Sequence, residues 1–180
     1  MNLIFIGYIL IFFHFKINGF DLLPDFVGYL LIFNGLGKLE ADSEWFAKAK
    51  PWAVVMVVES IFYGLVGLFG ETLPEAFYIL GIVFTVVSLY LMYLIGQGIR
   101  DTEQKRQIEM GGTRFGTLFK VQVVLTMLCQ VSAALGIGVI ATLTLFPTLI
   151  ANIVFLIYLY RAKKALDEAK ENTETDMGGF

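Results

Sequence analysis

The sequence predicts an all-α protein of the cell membrane, a multi-pass bundle of six transmembrane helices with both termini in the cytoplasm. Hydrophobic residues make up 57% of the 180 residues and charged residues only 16%, against about 25% charged residues in a typical soluble domain. Mean hydropathy is +0.74. Because a soluble fold of this length could not cover so much apolar surface, we expect the chain to lie in a bilayer.

The apolar stretches can be placed in order along the chain. The first runs from Asn2 to about Phe15 and is interpreted as a retained helix, because it lacks the basic start and the small-residue cleavage site of a secretory signal. The others are predicted at 24–39, 52–69, 74–99, 115–137 and 147–160, the last continuing as a polar helix to about Lys170. We therefore expect a six-helix domain over 1–160, followed by a cytoplasmic helical extension and disordered tail over 161–180.

Prolines mark four of these predicted helix starts, at Pro24, Pro51, Pro74 and Pro147. Proline is tolerated in the first helical turn because its missing N–H would have no partner there. Thr72 and Glu75 also fit a capping box. Residues 44–50 are expected to form a short amphipathic lead-in before the third helix, and the Met-Gly-Gly at 110–112 is expected to separate the fourth helix from the fifth.

The distribution of basic residues predicts the orientation in the membrane. Twelve of the 13 Lys and Arg fall on one side of a six-helix arrangement: Lys38, Lys48, Lys50, Arg100, Lys105, Arg106, Arg114, Lys120, Arg161, Lys163, Lys164 and Lys170. Only Lys16 falls on the other side. Because cytoplasmic loops carry an excess of Lys and Arg, the loops around Lys48 and Lys105 are expected inside the cell, and the regions around Glu71 and Val139 outside it.

Glu59 is the most informative polar residue within a predicted span. Counted from the start of the third apolar stretch, it lies about 10 Å into the bilayer, where a carboxylate is costly and is a candidate for function. Desolvation leads us to expect a protonated side chain when no ligand is bound. Asn34, Lys120 and Gln122 are predicted to form a polar cluster with it in the cytoplasmic half, although interhelical hydrogen bonding explains Asn34 and Gln122 equally well.

A second set of candidate binding residues is predicted near the outer side: His14, Asp21, Asp25, Gln130 and Asn152. The two aspartates could hold a cation or a polar ligand, but acids at such a position also cap a helix and interact well with its N-terminal dipole. Gln130 and Asn152 are expected either to line an outward cavity or to bond to each other.

Glycines on the second and third helices predict close helix packing, because small residues let backbones approach. The second helix carries Gly28 and Gly35, and the third carries Gly64, Gly67 and Gly70. We expect these glycines to be packed within the monomer or against a second copy of the chain.

The sequence lacks the motifs that would indicate an enzyme. It contains no G-x-S-x-G, no H-E-x-x-H, no C-x-x-C and no G-x-x-x-x-G-K, so we expect no catalytic residue and no cofactor. With one cysteine, Cys129, and one histidine, neither an internal disulfide nor a zinc site of His and Cys is available. A net charge of −3 without a basic block argues against nucleic acid. The expected partners are the lipid bilayer and either a second copy of the chain or another membrane subunit.

Two segments carry a resemblance to a known group of proteins. The run Gly19–Tyr29 (GFDLLPDFVGY), followed by Leu36 and Leu39, resembles small multi-pass membrane proteins of Gram-positive bacteria that have no assigned function. The stretch Tyr93–Asp101 (YLIGQGIRD) is similar to them as well. The resemblance implies a bacterial membrane protein and transfers no site. In size and helix number the chain is also similar to the substrate-binding S components of energy-coupling factor vitamin transporters.

Two classes of function follow from these observations. The first is a small-solute binding or transport component with a polar site between helices. The alternative is a non-catalytic accessory or regulatory protein that acts through helix–helix contacts. Polar residues converging on one cavity would favour the first class, and isolated bonds between helices would favour the second. We favour the first, because Glu59 and the two aspartates exceed what packing requires.

Overall fold

The computed structural model describes the backbone of residues 1–12, 16–17, 20–21, 25–69 and 76–177, and the side chains of 1–12, 25–66, 79–140 and 142–172. Its elements are α1 (Asn2–Phe12), β1 (Lys16–Ile17), β2 (Phe20–Asp21), α2 (Asp25–Gly37), α3 (Glu44–Phe69), α4 (Ala76–Arg106), α5 (Gly112–Ala134) and α6 (Gly138–Met177). The two short strands pair antiparallel, with Lys16 opposite Asp21. Six helices in this part of the chain confirm the predicted all-α bundle.

Four of the described helices are long and apolar enough to cross a membrane, over Glu44–Val66, Ile79–Arg106, Gly112–Ala134 and Gly138–Asn172. The helices α1 and α2 have 11 and 13 residues, which makes them about 17 and 20 Å long. The hydrocarbon core of a bilayer is about 30 Å thick. The described residues thus contain four helices of spanning length and two shorter apolar helices.

The helices pack in chain order as a closed ring. Each helix contacts the next one along the chain, and α6 also contacts α1. Phe155 of α6 makes edge contacts with Tyr8 of α1, at 5.0 Å between ring centroids, and with Phe115 of α5, at 5.1 Å. These aromatic contacts tie α6 to both of its neighbours in the ring.

The buried core is concentrated toward one end of this ring. Leu91 and Ile99 in the C-terminal half of α4 and Leu159 in the middle of α6 are fully buried. In contrast, Val139 and Phe146 in the N-terminal part of α6 are 73% and 72% exposed. Because lipid tails solvate apolar side chains, such exposure is expected for a bundle that packs tightly at one membrane face and contacts lipid along the rest of its length.

Helix α3 is continuous, with Pro51 inside it, so the predicted break between the 44–50 lead-in and the following span is wrong. Proline removes a backbone N–H and crowds the carbonyl four residues before it. Phe46, Ala49 and Ala53 are nevertheless all buried, and their spacing places them on one face of a helix. Packing along this continuous face keeps the segments on either side of the proline in one helix.

Helix α6 begins at Gly138 and contains Pro147, so the predicted start at the proline is wrong and residues 138–144 are helical, while the external position of Val139 stays a prediction. Lipid offers no hydrogen bonds to a bare backbone, so an apolar segment at membrane depth is more stable when it forms its own helical bonds. Thr142 adds a further bond, donating its hydroxyl to the carbonyl of Gly138 at 2.9 Å. The α5–α6 connection is consequently a short turn over 135–137.

The predicted close packing of glycines within the monomer is confirmed on α2 and is not found at Gly64, where packing against a second copy stays a prediction. A Cβ at Gly28 would lie 2.8 Å from the backbone oxygen of Gly7, and one at Gly35 would lie 2.7 Å from Cγ1 of Ile4. Both partners belong to α1. Around Gly64, in contrast, such a Cβ would meet nothing within 4 Å among the described residues.

Other predicted features lie outside the described residues. They are the Thr72–Glu75 capping box, the connection at Gly70–Glu71, and the side chains of His14, Asp21 and Lys16. At the other end of the chain, α6 continues to Met177, beyond the predicted end near Lys170.

Candidate functional site

Glu59 lies in the distal half of α3 and is partly buried. The helix starts at Glu44, which places Glu59 about 22 Å along its axis. The predicted depth of about 10 Å assumed a helix that starts near Trp52. Glu59 therefore lies farther from the start of α3 than predicted, and it is within electrostatic range of Asp25 in the first turn of α2.

The neighbours of Glu59 form a polar group between three helices. Asp25 and Tyr29, both on α2, lie within electrostatic range of the Glu59 carboxyl, and so does Tyr63, one turn along α3. Tyr29 also shares a side-chain hydrogen bond with Ser88 of α4. We call these five residues the carboxyl cluster. Two carboxyl groups and two phenols, contributed by α2 and α3, thus lie within electrostatic range of one another.

Tyr8 of α1 extends this polar interior toward a fourth helix. Its side chain is only 3% exposed and lies within electrostatic range of Tyr29. Its hydroxyl has no hydrogen-bond partner among the described residues. Because leaving a buried polar group without a partner costs about 1–3 kcal/mol, this hydroxyl is an available donor beside the carboxyl cluster. The sequence analysis did not single it out, because a tyrosine in an apolar helix is indistinguishable from core.

The structure does not bring Asn34, Lys120 and Gln122 to Glu59. Asn34 is exposed and donates its side-chain amide to the carbonyl of Leu30, on its own helix, at 2.9 Å. Gln122 donates to the side-chain oxygen of Asn152 at 2.7 Å, which joins α5 to α6. No bond joins these described side chains to Glu59, and the alternative of interhelical hydrogen bonding is confirmed at Gln122 but not at Asn34, whose bond stays within α2.

Among the predicted outer-side residues whose side chains the structure describes, Asp25 lies within electrostatic range of Glu59. Gln130 donates to the hydroxyl of Thr85 at 3.1 Å and links α5 to α4. Asn152 accepts its bond from Gln122, so the expected bond between Gln130 and Asn152 is not formed. These amides are consistent with interhelical hydrogen bonds that join neighbouring helices of the ring.

Lys120 lines a cavity that lies between α4 and α5. This cavity has a volume of about 350 Å³, and its polar lining includes Gln97, Arg100, Thr113 and Thr117. The sequence indicates Lys120 as a candidate but not the other polar residues of this cavity. Arg100, for example, has a sequence signal only for orientation in the membrane. The cavity is distinct from the carboxyl cluster, since the two share no residue.

Charged side chains join three segments at one end of the bundle. Asp42, in the turn between α2 and α3, has a side chain only 4% exposed and pairs with Arg106 of α4 and with Lys170 of α6. The adjacent Ser43 donates its hydroxyl to Asp101 of α4 at 2.6 Å. We call this the basic end, since it holds the loops and helix ends in which Lys and Arg are concentrated. The sequence predicted which basic residues share an end, but not the buried aspartate that connects them.

Within the described residues, no group of three or more His, Cys, Asp or Glu side chains could hold a metal ion. Comparison of the chain with family models, with curated proteins and with solved structures gives no match. The candidate functional features of the described residues are therefore the carboxyl cluster, the α4–α5 cavity and the basic end.

Proposed function

We propose that the protein is a small membrane component that binds or transports a small solute, with the carboxyl cluster as its polar site. The described helices, four of them apolar and of spanning length, indicate a membrane protein. The observation that carries the finer proposal is the approach of Glu59 on α3 to Asp25 on α2. Ionisable residues inside spans are costly, and they typically face a bundle interior and mark ion or substrate pathways.

The chemistry of the cluster favours a positively charged ligand. Two nearby carboxylates repel each other, and a bound proton, small cation or protonated amine relieves that repulsion. The Tyr29 hydroxyl supplies an uncharged donor and acceptor near the two acids, and the Tyr8 hydroxyl lies within electrostatic range of Tyr29. We therefore propose a proton-linked or cation-linked site.

The remaining expectations belong to the same proposal. The protein is non-catalytic and uses no cofactor, and it works in the cell membrane with lipid and with either a second copy or another membrane subunit. The bacterial origin implied by the resemblance of Gly19–Tyr29 stays a prediction.

The alternative is a non-catalytic accessory or regulatory protein. The bonds of Gln122 to Asn152 and of Gln130 to Thr85 favour it, because they join helices in pairs without converging on one cavity. An accessory protein needs Glu59 only as a neutral packing group. The two functions therefore predict different effects on pH dependence when Glu59 is replaced by a residue that cannot lose a proton.

The test is a thermal unfolding series in detergent across a pH range of about 5 to 9, wide enough to bracket a strongly perturbed carboxyl. Glu59→Gln keeps the size and the hydrogen-bonding capacity of a neutral acid. We expect it to fold as stably as the wild type near neutral pH and to remove a proton-linked component of the pH dependence. Glu59→Ala also removes the hydrogen-bonding capacity of the side chain, so it should lower the unfolding midpoint as well. A loss of about 1 kcal/mol corresponds to roughly 2–4 °C in a chain of this size.

Glu44→Gln is the matched control, because Glu44 lies on the same helix but is exposed at the basic end. It should leave the proton-linked component in place. If Glu59→Gln loses as much stability as Glu59→Ala, the charge itself holds the fold and the functional proposal fails. If Glu59→Gln instead has the same pH profile as the wild type, the accessory function is favoured.

A further inference from the structure

We propose that the cavity between α4 and α5 binds a phosphate-bearing anion at the basic end of the bundle. This site is separate from the carboxyl cluster and carries the opposite charge. Its volume of about 350 Å³ falls within the range of roughly 300–1,000 Å³ that is typical of small-molecule pockets. It is therefore large enough for a headgroup or a small phosphorylated solute.

The charge of the lining selects an anion. Arg100 of α4 and Lys120 of α5 both line the cavity, whereas no aspartate or glutamate among the described residues does so. Neither cation has an ion-pair partner in the described part of the chain. A cation without an ion-pair partner on each of two neighbouring helices favours a ligand that carries negative oxygens.

The acids that follow Arg100 on α4 are already engaged elsewhere. Asp101 accepts from Ser43 and pairs with Lys105, both at 2.6 Å. Glu103 accepts hydrogen bonds from backbone N–H groups at the start of α5, the shortest of them at 2.7 Å from Gly112. Neither carboxylate forms an ion pair with Arg100 or Lys120, and the charge of Glu103 is directed at the backbone N–H groups that begin α5, beside the cavity wall at Gly112.

The uncharged lining has one polar part and one apolar part. Gln97, Thr113 and Thr117 supply hydrogen-bond donors next to the cations, and Met92 and Phe119 supply apolar surface. Phosphate oxygens accept hydrogen bonds from hydroxyl and amide groups, while the apolar surface suits a chain or ring attached to the phosphate. The ligand class is therefore a phosphate ester with an apolar portion.

The two cations lie at different depths along their spans. Arg100 lies near the end of the α4 span, and Lys120 lies about 12 Å along α5 from Gly112. A lysine stem of this kind can extend toward the interface while its methylene groups stay in apolar surroundings. An anionic lipid headgroup can reach this cavity from the bilayer, and a soluble phosphate ester can reach it from the water.

The test uses the full chain purified in detergent and measures the unfolding midpoint against ligand concentration, which yields an apparent Kd. The probes are short-chain phosphatidylglycerol, phosphatidylcholine of the same chain length, glycerol 3-phosphate and inorganic phosphate. We expect phosphatidylglycerol to raise the midpoint more than phosphatidylcholine does. Arg100→Gln and Lys120→Gln should each weaken its binding about fivefold, as expected for the loss of one interfacial cation.

Two further variants separate the cavity from general surface charge. Arg114→Gln removes a cation of α5 that does not line the cavity, and it should change the apparent Kd less than twofold. Gly116→Phe keeps every charge and is designed to fill the cavity, because Gly116 lines it and a Cβ there would meet nothing within 4 Å among the described residues. It should abolish binding while the protein stays folded, and it decides the question even if a charge variant fails to fold.

The soluble probes identify the source of the phosphate. Competition by glycerol 3-phosphate or inorganic phosphate supports a free phosphate ester, and binding of phosphatidylglycerol that neither of them displaces supports a lipid headgroup. The proposal is overturned if none of the anions is preferred over phosphatidylcholine. It is overturned equally if Arg114→Gln weakens binding as much as Arg100→Gln does, or if Gly116→Phe binds like the wild type.

Discussion

At the scale of single residues, Glu103 defines the turn between α4 and α5. One of its oxygens accepts from the N–H groups of Met110 and Gly111, each at 3.1 Å, and the other accepts from Gly112 at 2.7 Å. The first N–H groups of a helix have no partner within it, and a carboxylate there also interacts favourably with the helix dipole. A Cβ at Gly112 would lie 2.8 Å from Cα of Arg100. The glycine is therefore needed for the two helices to approach.

We predict that Glu103→Ala lowers the free energy of unfolding by about 2 kcal/mol, because it leaves three N–H groups without their charged acceptor. Thermal unfolding in detergent is the measurement. Glu109→Ala is the control, since Glu109 belongs to the same connection but is exposed. An equal loss of stability in the two variants would show that the cap contributes nothing beyond general surface charge.

At the scale of elements, α1 and α2 form a tightly packed pair. The backbones approach where Gly7 faces Gly28 and where Gly35 faces Ile4. Neither helix has the length of a full span, so their stability depends on this contact and on the packing of α2 against α3 and of α1 against α6. Glycine allows this contact because it has no side chain to hold the backbones apart. The close approach stabilises the pair, because dispersion forces act only between atoms that touch.

We predict that Gly28→Leu destabilises the protein by at least about 2 kcal/mol, since overpacking typically costs 1–3 kcal/mol and here the obstacle is backbone. Gly64→Leu on α3 is the control, and it should change the free energy of unfolding little, because open space surrounds that position among the described residues. The measurements are the unfolding midpoint and the elution volume of the purified protein. A Gly28→Leu variant as stable as the Gly64→Leu variant would contradict the close packing of α1 and α2.

At the scale of the whole molecule, the basic end joins distant parts of the chain. Asp42 connects the α2–α3 turn to α4 and to α6. The Met1 amino group lies within electrostatic range of Asp42 and also of Asp167 on α6. Segments that the positive-inside rule assigned to the cytoplasm are thus in contact with one another. Their common position agrees with a topology that puts these segments on one side of the membrane, and the assignment of that side to the cytoplasm stays a prediction.

We predict that a cysteine at position 105 is protected in intact cells and reacts with a membrane-impermeant reagent only after permeabilisation. The experiment uses Lys105→Cys in a background where Cys129 is replaced by alanine. Losing the exposed pair of Lys105 with Asp101 should cost only about 0.3–0.5 kcal/mol.

Val139→Cys is the counterpart at the other end of the bundle, in the first turn of α6, where the side chain is 73% exposed. It should react in intact cells. The opposite pattern, with position 105 labelled and position 139 protected, would reverse the orientation of the whole bundle.

The sequence by itself determined the fold class and the number of helices. Composition and the lengths of apolar stretches are local properties. A backbone that spans a bilayer must satisfy its own hydrogen bonds, which favours a helix. Local signals also located the break between α4 and α5 to within a few residues, since it covers 107–111 where 110–112 was predicted, and they indicated the packed glycines Gly28 and Gly35. They failed at Pro51 and Pro147, because the preference of proline for a first helical turn is weak. At Pro51 buried packing on both sides outweighs this preference. At Pro147 continuous backbone hydrogen bonding at membrane depth outweighs it.

Only the tertiary structure decided which polar residues meet. It pairs Gln122 with Asn152, brings Asp25 toward Glu59 and places Lys120 in a cavity with Arg100. These outcomes depend on the rotation of each helix about its axis and on the order of helices in the ring, which packing between helices sets. A residue's position along its own helix carries no information about either, so the sequence indicated the chemistry that is present but not the sites at which it combines.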